Sequence, residues 1–170
     1  DAEKEAIFVP VSLSGARAAL AAGNERMPVA SGRGEITLRA SIETSLHALL
    51  PHPVVLHVHA VNTIAWAAIA GAEAEIASRL TGLAWQWLDY HRPGLPLAQE
   101  VTALLARGPL DVLLLGNHGL VVGAATCDAA EALVAAVERR LALESRPAPD
   151  GNTDALRKIC AGTDYRLPQD

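Results

Sequence analysis

The sequence predicts an α/β fold, and three observations carry that prediction. Short apolar runs at Val54 to His59, Asp111 to Leu115 and Leu120 to Gly123 have strand length and strand composition. Between them lie longer segments with apolar residues at helical spacing, around 41–50, 62–80, 96–107 and 128–144. The composition, 51% apolar and 19% charged over 170 residues, suits one domain that buries a real core without disulfides or a structural metal.

Taken in order, Ile7-Phe8-Val9-Pro10-Val11 reads as a short strand, with Pro10 suited to an edge or a strand end. Ser14 is the expected cap of an alanine-rich helix that stops at Gly23, and residues 23–34 form a glycine-containing loop. Glu35 to Arg39 reads as a strand feeding a helix over 41–50, capped by Ser41 and closed by Pro51, in which Glu43 and His47 share a face. In the strand that follows, alternation points His57 and His59 the same way, ~6.8 Å apart along the chain. Asn62 to Leu80 is helical with a break at Gly71. Leu83 to Tyr90 is ambiguous, although Trp85 and Trp87 alternate with polar residues in a way that suits a strand with one face packed on the core. A helix from Pro96 to Arg107 ends at Gly108-Pro109, and the strands at 111–115 and 120–123 flank a Gly116-Asn117-His118-Gly119 break. Helices over 128–144 and 153–161 are separated by a Pro-containing linker.

Several function classes are excluded at this level. A net charge of −5 and a pI near 5.6, without a Lys/Arg cluster, provide no footprint for nucleic acid or an anionic membrane. No apolar run approaches the ~18 residues needed to span a bilayer, and Asp-Ala-Glu-Lys-Glu is the reverse of a signal peptide, so a cytoplasmic protein is expected. Cys127 and Cys160 form no Cys-x-x-Cys pair, so neither a disulfide nor a thiolate zinc site is indicated.

The chemistry-bearing residues are histidines. His57 and His59 on a rigid strand are a ready pair of metal ligands, and His118, at a turn where glycines let the backbone approach closely, is a third. Three His with a nearby carboxylate suit zinc or another divalent first-row metal with a position open for substrate. Each His taken singly has another reading, as a satisfied core or interface residue. A cupin-type site would want Glu where Thr63 and Ile64 stand, and a binuclear hydrolase would want Asp at Val61.

The order Ser-x-Glu-x-x-x-His (41–47), Val-Leu-His-x-His-Ala (55–60), Leu-Gly-Asn-His-Gly-Leu-Val-Val-Gly (115–123), then an acidic-start helix, resembles the class II aldolase/adducin family from about Ile7 to Glu144. The resemblance implies a three-layer α/β/α fold with a mainly antiparallel central sheet. It also implies His57, His59 and His118 as zinc ligands, Glu43 as the acid–base residue, and a homo-oligomer, usually a tetramer, with active sites between subunits. A finer likeness is to the aldolase part of bifunctional rhamnulose-phosphate aldolase/dehydrogenase proteins. The family's Gly-Asn-x-Ser and Thr-x-Ser-Gly phosphate motifs are absent. Ser41 matches one serine of its Ser-Ser-Glu phosphate contact while Ile42 replaces the other, leaving an anion at the Ser41 helix start, near Arg39, as the expected substrate contact. The whole chain, 1–170, then reads as a single domain of this family, a fragment lacking the N-terminal phosphate-binding region and a C-terminal continuation.

The implied activity is that of a zinc-dependent lyase, an aldolase cleaving a small hydroxy-ketone or sugar phosphate through an enediolate. Related epimerase, dehydratase or decarboxylase chemistry would use the same residues. A Schiff-base route has no candidate, because Lys4 and Lys158 lie near the ends. A non-catalytic adducin-like interaction module is the alternative from another class, and it would be expected to lose ligands that this chain retains.

Overall fold

The computed structural model describes residues 8–30, 38–144, 147 and 151–164. Within them the element order is α1 (Leu13–Ala21), α2 (Thr44–Leu49), β1 (Val54–Val58), α3 (Val61–Ala67), α4 (Glu73–Arg79), β2 (Trp85–Leu88), α5 (Leu95–Leu105), β3 (Val112–Leu115), β4 (Gly119–Ala124), α6 (Cys127–Arg140) and α7 (Thr153–Cys160). None of these helices is long and apolar enough to cross a membrane.

The strands form one sheet in the order β1-β4-β3-β2. β3 and β4, joined by a tight turn, are antiparallel as such a hairpin must be, and β1 pairs antiparallel with the other side of β4. β2 with β3 is parallel, because α5 carries the chain back to the end from which β2 started. The sheet is therefore mainly antiparallel but mixed.

Strand alternation sorts the core into two halves. Val112, Leu114, Leu120 and Val122 face Trp66, Ile76, Leu80, Ala130, Val137 and Leu141, which come from α3, α4, α6 and the residues that end α4 and α6. Leu113, Leu115 and Val121 face Leu46 of α2, Leu50 just after it, and Leu97, Val101 and Leu104 of α5. The result is three layers, with α1 packed on the outer side of α2. Trp85 and Trp87 pack against the first half-core, and Gln86 between them is exposed.

Several local expectations shift. α1 is capped by Ser12, whose Oγ accepts the Gly15 N–H at 3.2 Å, and Ser14 lies inside the helix. Its end follows the expected pattern: Gly23, at φ +69°, donates to Leu20 O, and Asn24 donates to Ala19 O. No strand forms over 8–10, where Val11 makes only an isolated bridge to Val29. The expected strand at 35–39 falls largely outside the described residues, and Leu38 and Arg39 are not in a strand. α2 begins at Thr44 rather than after Ser41, because the Ser41 Oγ accepts the Glu43 N–H at 3.2 Å in a local turn instead of capping the helix. Leu50, at ψ 142°, is extended ahead of Pro51, as a residue before proline prefers. The break at Gly71, φ +75°, separates α3 from α4.

Candidate metal centre

Three elements deliver four side chains to one end of the sheet. Glu43, just before α2, occupies its N-cap position but makes no capping bond, so its carboxylate is free to turn toward the strands. β1 places His57 on the α2 side, in the same row as Val121 of β4 and Leu113 of β3. His59 follows one residue beyond the end of β1. His118 stands in the β3–β4 turn, where its N–H donates to Leu115 O at 3.1 Å and Asn117 takes φ +49°, a left-handed conformation that Asn tolerates.

One ligand atom from each of Glu43, His57, His59 and His118 lies within 4.8 Å of the others, so the four could hold a metal ion. The three imidazole centroids are 4.9 to 5.3 Å apart, with the rings edge-on to one another. Glu43 spans two of them, with Oε1 2.8 Å from His118 Nε2 and Oε2 3.2 Å from His57 Nε2. His59 is exposed, whereas His57 and His118 are only 6% and 10% accessible at their side chains.

The chemistry of His57 is the informative part. Its Nδ1–H donates to Leu120 O at 3.0 Å, and a carbonyl can only accept, so in the neutral ring Nε2 carries the lone pair. That nitrogen is buried and has no hydrogen-bond partner, yet it faces a carboxylate oxygen. Two acceptors in contact need a positive group between them. Burial pushes the His57 pKa below its ordinary value, against the opposing pull of Glu43 and the Leu120 carbonyl. A divalent ion satisfies both atoms, and the Leu120 carbonyl is the kind of outer partner that orients a metal-binding imidazole.

The close packing has a backbone origin. A Cβ at Gly119 would stand 2.8 Å from Val58 O and 3.0 Å from His59 Cδ2, so only glycine lets the His118 turn sit against the His57/His59 segment. The Gly-Asn-His-Gly run signalled this closeness, although the partner it approaches is not readable from sequence. Another contact missing from the sequence reading is that of His47, whose Nδ1–H donates to Val55 O at 3.1 Å and ties α2 to β1. Ser41 lies in the wall of a cavity of about 800 Å³ also lined by Glu25, Arg26, Arg39 and Ile42. α2 is six residues long and starts at Thr44, so Ser41 is not its N-cap.

Residues 6–144 match the family described as the Class II Aldolase and Adducin N-terminal domain. The chain is 35% identical over 91 residues to the "Uncharacterized oxidoreductase YuxG" of Bacillus subtilis (strain 168), a match covering 53% of this chain and 13% of that protein. Among solved structures, the N-terminal class II aldolase domain of a conserved protein from Thermoplasma acidophilum superposes with a TM-score of 0.61 at 24% identity, over 79% of this chain and 64% of that one. An aldolase II superfamily protein from Pseudomonas syringae gives 0.54 at 17% identity, over 86% and 57%. At these identities the two superpositions establish a shared fold, and in each of the three comparisons the match spans less than two thirds of the relative's length.

Proposed function

This chain belongs to the class II aldolase and adducin family, and from that premise we propose that it is a metal-dependent lyase, an aldolase acting on a small hydroxy-ketone or sugar phosphate. The observation that carries the reading is the bare, buried Nε2 of His57 held against the Glu43 carboxylate, with His59 and His118 closing the same space. His57, His59 and His118 are the proposed ligands of zinc or another divalent first-row metal. When bound, such an ion supplies Lewis acidity to a carbonyl oxygen of the substrate.

The chain's own residues do the rest. Glu43 takes the proton from the substrate hydroxyl as the C–C bond breaks and returns a proton to carbon afterwards, through the carboxylate oxygens that now face His57 and His118. Its side chain is 21% accessible, open enough to meet a substrate. The Leu120 carbonyl keeps the His57 proton on Nδ1, so Nε2 stays available. Ser41, with Arg26 and Arg39 in the neighbouring cavity, receives the anionic end of the substrate. The match to YuxG, named as an oxidoreductase, supports the finer likeness to the aldolase part of a longer aldolase/dehydrogenase chain.

The test is a paired measurement on one sample: bound metal, and solvent deuterium exchange into candidate hydroxy-ketones, phosphorylated and not. Metal near one equivalent per chain with exchange in at least one substrate is expected. Protein that binds no divalent metal and catalyses no exchange would leave the non-catalytic interaction module as the better reading.

A further inference from the structure

His59 is the least supported of the proposed ligands. His57 is oriented by the Leu120 carbonyl and His118 reaches Glu43, but among the described residues the His59 ring has no hydrogen-bond partner. It also lies beyond the last paired residue of β1. Its position is therefore set by the backbone on either side, and on the C-terminal side that backbone enters α3 within two residues.

The start of α3 is held in an unusual way. Its N-cap residue, Ala60, has no side chain that can satisfy the free N–H groups of the first turn. Glu138 of α6 supplies the acceptors instead. Its Oε2 accepts from Asn62 N at 3.1 Å and Asn62 Nδ2 at 3.2 Å, and its Oε1 accepts from Thr63 N at 2.9 Å and Thr63 Oγ1 at 2.7 Å. Asn62 Oδ1 then accepts from Leu143 N at 3.2 Å, tying the same turn to the chain just after α6. Thr63 is fully buried, which shields its side of these bonds from water.

The other end of α3 reaches the second half of the cluster. The Ala67 carbonyl accepts the Asn117 N–H at 2.9 Å, one residue before His118. One short helix thus begins just after His59 and ends on the turn that carries His118, and a single carboxylate from α6, in the same helical layer, fixes its start.

We propose that Glu138 is a positioning residue for the metal site, acting through α3 on His59 and on the Asn117–His118 turn. The inference rests on the metal-binding reading above, but Glu138 itself is not a ligand. Within α6 it lies beside Val137 and three residues before Leu141, an acid on the buried edge of an apolar stripe, and that placement is the sequence signal for it.

The experiment titrates Co²⁺ into the full chain and follows the visible d–d spectrum together with thermal melting, for wild type, Glu138→Gln, Glu138→Ala, Thr63→Val and Thr126→Ala. Thr126 caps α6 at its far end from Glu138 by accepting from Ala129 N, and its side chain has no hydrogen bond to α3 or the histidines among the described residues, so it controls for general destabilisation. Loss of a side chain bonded directly to a ligand typically weakens metal binding by roughly 10–100-fold, and for Glu138, one step further from the ion, the lower end of that range is the expectation. That loss is expected for Glu138→Ala, with an altered Co²⁺ spectrum. Smaller losses are expected for Glu138→Gln, which replaces one accepting oxygen by an NH₂ group, and for Thr63→Val, which removes one bond of the four. Thr126→Ala should keep wild-type affinity and spectrum while melting earlier. If the Glu138 variants bind Co²⁺ as wild type does, or if Thr126→Ala loses affinity in proportion to its melting shift, the positioning role is overturned and Glu138 is a fold-stabilising cap. If Glu138→Ala does not fold, Thr63→Val and Glu138→Gln decide by the same criterion. A wild type that takes up no Co²⁺ removes the metal reading and this inference with it.

Discussion

Glu43 is a residue for which two physical roles separate by experiment. An acid at the start of a helix is ordinarily worth 0.3–1 kcal/mol through the helix dipole. Here the carboxylate makes no capping bond and instead meets two imidazoles. Glu43→Gln keeps size and most hydrogen bonding but cannot take a proton. Activity is expected to fall by roughly 10²–10⁴-fold, with metal content and melting temperature close to wild type. Exchange that survives in the Gln variant with metal still bound would assign the base elsewhere. Gly119 supplies a second residue-scale prediction. Gly119→Ala must push a methyl group into Val58 O and the His59 ring, so a loss of about 1–3 kcal/mol is expected from overpacking. Denaturant unfolding with and without metal would measure it, and an unchanged midpoint would show that the turn moves freely.

At the scale of elements, the α3–α6 junction makes acid stability depend on one carboxylate. Burial alone would raise the Glu138 pKa, but the bonds from Thr63 and Asn62 outweigh it, and the net shift is below the ordinary value of 4.5. A carboxylate with a depressed folded-state pKa stabilises above its unfolded pKa, and that contribution is lost as pH falls through the folded value. Wild type should therefore lose stability below about pH 4.5 more steeply than Glu138→Gln. Unfolding midpoints at pH 3 to 7 would test this, and parallel curves would refute it. Element boundaries were the least readable part of the sequence, for related reasons. Ser14 and Ser12 are equally good caps by composition. Ser12 takes the role where the chain is held by its N–H bond to Pro28 O and where Pro28 packs over Gly15, contacts across a loop that no local pattern encodes. Ser41 looked like a cap, but its hydroxyl closes a turn one step earlier.

Across the whole molecule, the candidate ligands come from α2, the end of β1 and the β3–β4 turn, so binding is coupled to folding of the sheet and its covering helix. An ion that binds only the folded chain should stabilise it by roughly 2.7 kcal/mol at a free concentration 100 times Kd. For a chain of this size that corresponds to a melting shift of roughly 5–10 °C. Chelation should reverse it, and His57→Ala should abolish the dependence. A homo-oligomer is also expected, with the open side of the cluster, where His59 is exposed and Val61 is 79% accessible, facing a second copy. Light scattering at micromolar concentration tests it, and a strict monomer would remove the between-subunit site from the proposal.

The sequence by itself determined the α/β class, the central strands and the candidate ligands, because these follow from local rules. Strand alternation puts His57 on one face with Val55, the apolar run at 112–115 leaves no place but the middle of a sheet, and the Gly-Asn-His-Gly turn admits close approach. Only the tertiary structure decided the sheet order, the parallel pairing of β2 with β3, the facing of Glu43 Oε2 and the bare His57 Nε2, and the grip of Glu138 on α3. Those depend on which distant segments meet. Residues 63 and 138, or 57 and 120, carry nothing in their own neighbourhoods that specifies the partner. The packing of α3 against α6 on one face of the sheet brings the first pair within hydrogen-bonding distance, and the pairing of β1 with β4 brings the second.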